Sequence, residues 1–554
     1  MTTSTLKLKR LFFIIACIFI SYTTFATQLS GAYTIDSSGT ASATVFKNFS
    51  SAVTYLTSAN TRSDGGPSNS SPFGVSGPVV FTVNLGTYIE QIEIPAITGS
   101  SATNTITFNG GNGNAATRIL QYAATSATDG HVLRFTSCSY ITFQNLTILN
   151  TGQSFGLAVH FYTTATFITI KKCSVIVTTS TSANFRAINA SGSNLLTSGG
   201  GCSGAATTSA INNIFIDSNY VSGGYYGIFL NSSAAGTGSF NFYIRGNQLF
   251  NAYYNAIAAS GSYGYLIMGN YIKMTSGNAS SWGLYHCNGS TGSQSYHIVS
   301  NIFENCGAGG IDWLTPNPGS TQRSRIVQNY FKPTFLSATA QGMNVTYGSY
   351  TDIWENTILM NMPGGTGIVT ASATNQDIRN NIIIHQSATA TGLCITQAAS
   401  TTLLNYDYNV FIKNNPASAD LVQVNGTNYQ AGNFKGASGF NVHSSTDNPL
   451  LVAPPTDIRP NNVCQKGSAL TITIPVYGSL TTDINGAARS VPPQIGASEP
   501  ASGISVDAAM MSFLLPVTYP VTSGSQDIKV VVKNTGNDKK KPFKLQCRSC
   551  HNAY

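Results

Sequence analysis

From about residue 210 onward, an apolar residue, two variable residues and an asparagine return at a nearly fixed interval. The pattern reads Ile216…Asn219, Ile244…Asn247, Ile267…Asn270, Ile298…Asn301, Ile326…Asn329, Ile353…Asn356, Ile378…Asn381 and Tyr406…Asn409, and successive Asn residues lie 27 residues apart on average. A period of that size means one turn of a stacked array, because each unit is too small to bury its own apolar face. The units show no 3.6-residue periodicity and are rich in Gly, Asn and β-branched residues, so the turns are built of strands rather than helices. Recurrence of Asn at one position predicts a ladder of stacked amides at a turn, where each amide satisfies a neighbour and the adjacent backbone.

A second element follows in most turns, a Gly or Ala before an aliphatic: Gly227-Ile228, Ala256-Ile257, Gly283-Leu284, Gly310-Ile311, Gly342-Met343, Gly367-Ile368 and Gly392-Leu393. Gly suits a bend between strands, and the aliphatic is expected to point inward. Alternating runs at Val79–Val83, Ile92–Ile94, Ile141–Ile148 and Ile168–Ile170 carry the pattern upstream, giving roughly 10–12 coils. The long gap between Cys173 and Asn219, with Gly199, Gly200 and Gly201, reads as a coil with a loop insertion. Phe46, Phe49, Val53 and Leu56 recur at helical spacing, which predicts a helical cap over the first raw strand edges. The expected layout is a cap over 27–60 and a strand solenoid over 61–500.

Charged residues make up only 9% of the chain while aromatics reach 10%, which excludes ordinary charge-driven disorder. Part of the net charge of +8 comes from Lys539, Lys540, Lys541, Lys544 and Arg548 at the far end. No basic stripe interleaved with aromatics runs along the body, so nucleic-acid binding is not expected. Lys7, Lys9 and Arg10 precede the apolar run Leu11–Ile20 and the small-x-small site Thr24-Phe25-Ala26, the layout of a signal peptide over 1–26 with cleavage near Ala26. The apolar run is short for a membrane anchor, so no transmembrane span is expected in the mature chain. Ile14-Ile15-Ala16-Cys17 leaves lipidation at Cys17 as an alternative. Either route predicts export, to the medium or the outer-membrane surface. The remaining cysteines lack framework spacing and are expected to be buried free thiols.

The stretch Gly77–Pro95, with Gly86-Thr87-Tyr88-Ile89-Glu90 at its centre, resembles the opening coils of right-handed parallel β-helix proteins. With Thr482-Asp483-Ile484-Asn485-Gly486 and Pro493-Gln494-Ile495-Gly496-Ala497-Ser498-Glu499, residues 30–500 are similar to large cell-surface β-helix proteins of Gram-negative bacteria. The resemblance implies an all-β, pectate-lyase-like right-handed parallel β-helix, secreted or held at the surface. In that family a β-sandwich commonly follows. Residues 501–537 are similar to its first strands, but the chain then turns basic over 538–554, as if the sandwich were truncated. Cys547, Cys550 and His551 match a haem-attachment motif, without a surrounding domain to support it.

The same fold hosts lyases, esterases and hydrolases, so the site rather than the fold must decide. Between residues 201 and 400 the only acids are Asp217, Glu304, Asp312, Asp352, Glu355 and Asp377. A lyase needs clustered carboxylates for Ca²⁺ beside a base, and a hydrolase needs two converging on one bond. The outward column after the Gly-aliphatic element, Phe229, Ala258, Tyr285, Asp312, Asn344 and Val369, carries one carboxylate, and alternation sets His286 and Asp312 on opposite faces. Arg325, Asp352 and Asp377 precede the inward Ile on consecutive coils, with Arg379 on the same face. They form a candidate ligand or Ca²⁺ patch, or else an exposed charge ladder without function. Trp282, Tyr285, Trp313 and Trp354 form a candidate sugar-stacking platform, or else pack between loops and core. The reading is a non-catalytic, exported, adhesin-like protein whose loops bind polysaccharide or another surface. Its alternative is a polysaccharide lyase or glycoside hydrolase acting on uronate-containing glycans.

Overall fold

The computed structural model describes residues 28–500 except 112–114, 195–209, 232–239, 261–262, 275–276, 288–294, 314–321, 333–334, 415–417, 462–465 and 476, together with 508–514 and 529–534. The chain winds as a parallel β-solenoid with three sheets of 14, 12 and 13 strands, each coil giving one strand to each. The expected signal segment, the Gly199–Gly201 insertion and the basic tail with Cys547, Cys550 and His551 lie outside the described residues. Ala508–Leu514 and Lys529–Asn534 pair as an antiparallel hairpin.

Each coil runs from the first sheet through a tight turn to the second, then through a bend to the third. The repeat's aliphatics stack on the inner face of the first sheet, in register from Ile170 through Ile216, Ile244, Ile267 and Ile298. The turn that follows holds the asparagines. Asn247, for example, accepts on Oδ1 from the Asn219 backbone N–H at 2.9 Å and the Asn219 amide at 3.0 Å. Its own amide donates to Ile216 O and to Asn270 Oδ1. The same geometry continues through Asn409, where Ser444 Oγ replaces the next amide at 3.0 Å. At the other end Cys173 occupies the asparagine position, its N–H donating to Asn219 Oδ1.

The turn is tight because the residue before each asparagine is left-handed, with φ of 57° at Ser218, 54° at Ser300, 56° at Glu355 and 59° at Asn380. Non-Gly residues adopt this conformation at a cost of roughly 1–2 kcal/mol, so the ladder's hydrogen bonds hold the backbone against its own preference. The glycines of the second element have a different cause. A Cβ on Gly283 would stand 2.4 Å from Phe303 Cδ1, and one on Gly310 2.3 Å from Phe331 Cδ1. Large inward side chains of the second sheet fill the space at these two positions, whereas at Gly227 the Ala256 carbonyl oxygen, 2.6 Å away, does so.

The N-terminal end is closed by a helix, Phe49–Thr57, which buries Phe49, Val53 and Leu56 as the spacing required. Phe46 belongs instead to a short strand, Val45–Phe46, but enters the same core. The Gly-Thr-Tyr-x-Glu motif explains the attachment. The Glu90 carboxylate accepts from the N–H groups of Phe49 and Ser50, both at 2.9 Å, and so ties the helix start to the first coil. At the far end the antiparallel hairpin Asp420–Val424 with Thr427–Gln430 closes the third sheet, and Phe434 and Phe440 pack on Phe411 and Tyr406.

Residues 466–499 then run back along the outside as a strap. Ile472 and Ile474 cover Tyr243, Leu266, Val299, Val327 and Trp354 on the outer face of the first sheet. Ile495 and Ala497 cover Leu359, Ile382 and Val410 on the second. The closing motif is the clasp of this strap: Asp483 accepts from the N–H groups of Asn485, Ala487 and Glu499, each at 2.8 Å. Cys138, Cys173, Cys306 and Cys394 are buried and unpaired, and burial pushes each thiol up to about 12, which removes the reactive thiolate. No described helix is long and apolar enough to cross a membrane.

Candidate functional site

The strap covers two of the three faces in the C-terminal half, leaving the outer face of the third sheet. Register places two outward columns there. One contains Arg186, Tyr226, Asn255, Trp282, Gly309 and Gln341, and the other Asn189, Phe229, Ala258, Tyr285, Asp312 and Asn344. Both columns share a face because the Gly-aliphatic pair between them turns inward, and the stacked Tyr226 and Phe229 rings, 4.7 Å apart, show the contact directly.

The face is aromatic at one end and polar at the other. Tyr225 stacks on Tyr254 of the next coil at 5.0 Å and meets Tyr226 edge-on at 4.8 Å. The Arg186 guanidinium lies 4.3 Å over the Phe229 ring and donates to Asn189 Oδ1 at 3.0 Å. Burial lowers its pKa to about 10. Trp282 lies flat along the next coil: a Cβ on Gly309 would stand 2.1 Å from Trp282 Cζ3, so only glycine lets the indole down onto the backbone. Trp282 and Tyr285 remain partly exposed.

Asp312 follows Tyr285 in the same column, and its Oδ1 accepts from the Asn344 amide at 3.0 Å. Burial without a cationic partner raises its pKa to about 6. Burial, and then the nearby Asp312 charge, push Tyr285 up to about 12. The next described carboxylate in this column is Glu93, which pairs with Arg134. It stands seven coils away, roughly 34 Å at the ordinary interstrand spacing. Two carboxylates that flank one glycosidic bond lie no more than about 10 Å apart. Among the described residues no three His, Cys, Asp or Glu side chains converge.

The sequence-based sites divide. Trp282 and Tyr285 are brought together on this face. Trp313 is not: it is fully buried inside the solenoid, 5.3 Å from His286, which accepts or donates to Tyr265 OH at 2.6 Å. Two residues after the inward Ile311, alternation turns it inward, which corrects its place in a surface platform. Trp354 faces outward but lies beneath the strap with Arg379 over its ring at 5.4 Å, so it is no part of an open platform either.

Arg325, Asp352 and Asp377 do stack in one column. The column is not exposed: Asp352 and Asp377 are buried, and Arg325 donates to the strap at Thr473 O. Asp352 is paired with Arg323 and Arg325, and Asp377 receives both Nε and Nη2 of Arg379 at 2.7 and 2.6 Å. A Ca²⁺ ion needs six to eight oxygens, and here guanidinium groups already hold the carboxylates. The donor set does not fit the ion. Sequence reasoning missed Tyr225, Tyr226 and Tyr254, although the doublets Tyr225-Tyr226 and Tyr253-Tyr254 fall one coil apart just ahead of the second element; Asn344 it placed correctly in the outward column, without a role.

No protein-family model matches the chain, and no curated protein matches it significantly. Similar solved structures include the Dettilon tailspike protein, with 12% identity over 73% of this chain and 68% of that one at a TM-score of 0.36. A DFA-IIIase from Arthrobacter chlorophenolicus A6 has 10% identity over 76% and 99% of the two chains, TM-score 0.36. A pectin methylesterase in complex with a hexasaccharide has 10% over 68% and 82%, TM-score 0.25. At these identities the likeness is one of fold.

Proposed function

We propose that the protein is an exported, surface-acting β-solenoid that binds polysaccharide along the outer face of its third sheet without cleaving it. One observation carries the reading: Trp282 and Tyr285 lie partly exposed beside the buried Asp312 and the half-buried Asn344, on the face that the strap does not cover. An indole laid flat on a glycine offers an apolar plane to a sugar ring, and the neighbouring carboxyl and amide take its hydroxyls. The leader-like N-terminus supports export. Affinity electrophoresis through neutral and uronate-rich polysaccharides tests the reading. Retardation by at least one of them, weakened in Trp282→Ala, is expected, whereas release of new chain ends at turnover rates would refute the non-catalytic part.

A specific observation favours a second reading, glycoside hydrolase or lyase activity on uronate-containing glycans. Asp312 holds its proton up to about pH 6, near the range a general acid uses. That reading requires new reducing ends or unsaturated uronides, abolished by Asp312→Asn.

A further inference from the structure

Where the strap crosses the turn between the first and second sheets, it leaves a cavity of about 320 Å³. Its floor is the buried side chains of Glu355 and Arg489, with Arg489 Nη2 3.1 Å from Glu355 Oε2. Leu470, Ile472 and Leu480 form its walls, Ser479 and Thr481 supply hydroxyls, and the Ser490 hydroxyl is held by Glu499 at 2.9 Å. Val491, 89% exposed, stands at its mouth. None of these residues belongs to the third-sheet face.

We propose that this cavity binds a single neutral sugar residue. The volume falls at the small end of ligand pockets, enough for one ring rather than a chain. The floor carries an acceptor and donors side by side, the arrangement a pair of adjacent hydroxyls satisfies, and the aliphatic walls suit the C–H face of a pyranose. The charge balance argues against an anion. Glu499 also lies 3.6 Å from Arg489, so two carboxylates already share one guanidinium. A hydrocarbon tail is disfavoured because it would cover the ion pair without returning a hydrogen bond.

Saturation-transfer NMR on the full chain with methyl glucopyranoside, methyl galactopyranoside and hexanoate tests the proposal. Transfer to at least one neutral glycoside is expected, with affinity about tenfold weaker in Leu480→Trp, which fills the cavity. Val491→Trp narrows the mouth from an exposed position and gives the same loss if the first variant misfolds. Trp282→Ala leaves binding here unchanged, so failure of this site and failure of the third-sheet reading are distinguishable. Transfer to hexanoate alone, no transfer at all, or glycoside binding that survives both Trp variants overturns the assignment.

Discussion

Replacing Asn301 with Ala removes one rung from the middle of the amide ladder. The side chain accepts from the Asn270 N–H at 3.0 Å and the Asn270 amide at 2.9 Å, and it donates to Ile267 O at 2.8 Å and Asn329 Oδ1 at 3.0 Å. Four neutral hydrogen bonds at about 1 kcal/mol each give about 4 kcal/mol, and a buried N–H left without an acceptor adds about 1–3. The expected loss is therefore about 5 kcal/mol, large for a polar residue. Asn301→Ser is expected to lose about half as much, because a hydroxyl can serve as the acceptor for the preceding N–H, as Ser444 does for Asn409. Urea unfolding measures the total. Amide exchange locates it, since the Asn270 N–H loses protection first and stability in such arrays is held coil by coil. A loss below about 1.5 kcal/mol, within the range of one ordinary hydrogen bond, or equal losses in the Ser and Ala variants, would refute the account of the ladder as a cooperative file.

Three further outcomes follow from the same geometry. Gly310→Ala forces a Cβ to 2.3 Å from Phe331 Cδ1 and is expected to cost about 1–3 kcal/mol, only part of it recovered in the double variant with Phe331→Val because the Gly342 carbonyl oxygen stays 2.9 Å away; thermal melts of the cycle check the coupling. Folded Asp312 keeps its proton up to about pH 6 while an unfolded aspartate releases it near 3.8, so the folded state binds more protons in that window and stability falls as pH rises through it. Asp312→Asn should remove that fall, adding about 3 kcal/mol at pH 7, and a pH series of melts that retains the slope contradicts the assignment. Ile474→Asp places a charge against Trp354 and its apolar neighbours, so the strap should lift and tryptophan emission shift to the red; an unchanged spectrum would mean the strap is not held by that contact.

The solenoid was readable because its period repeats the same residue at the same place. The asparagines named from spacing alone are the rungs of the ladder, and the inward aliphatics of both elements occupy the core except Leu393, which is half-buried because Ile395 takes its place in the register. Alternation also separated His286 from Asp312, and applied one step further it sends Trp313 inside with Ile311. The strap was not readable, because residues 466–499 follow no period and their partners lie more than 80 positions upstream, as with Asn380 and Ser468. Without it, Asp352 and Trp354 look like surface residues; their parity is right, and only a segment distant in sequence covers them. The third face, where Trp282 and Tyr285 are partly exposed among buried neighbours, is legible only by subtraction, once the other two are known to lie under the strap.

The strap also behaves as a ruler. It grips Gln328, Glu355 and Asn380 on three consecutive coils through Thr482, Arg489 and Ser468, and being aperiodic itself it fits only that number of coils at that rise. Insertion or loss of a whole coil beneath it would throw every grip out of step, while a coil added upstream of Tyr243 would leave all of them in place. Lineages carrying this architecture should thus vary in length at the amino-terminal end and keep the carboxy-terminal half at constant length.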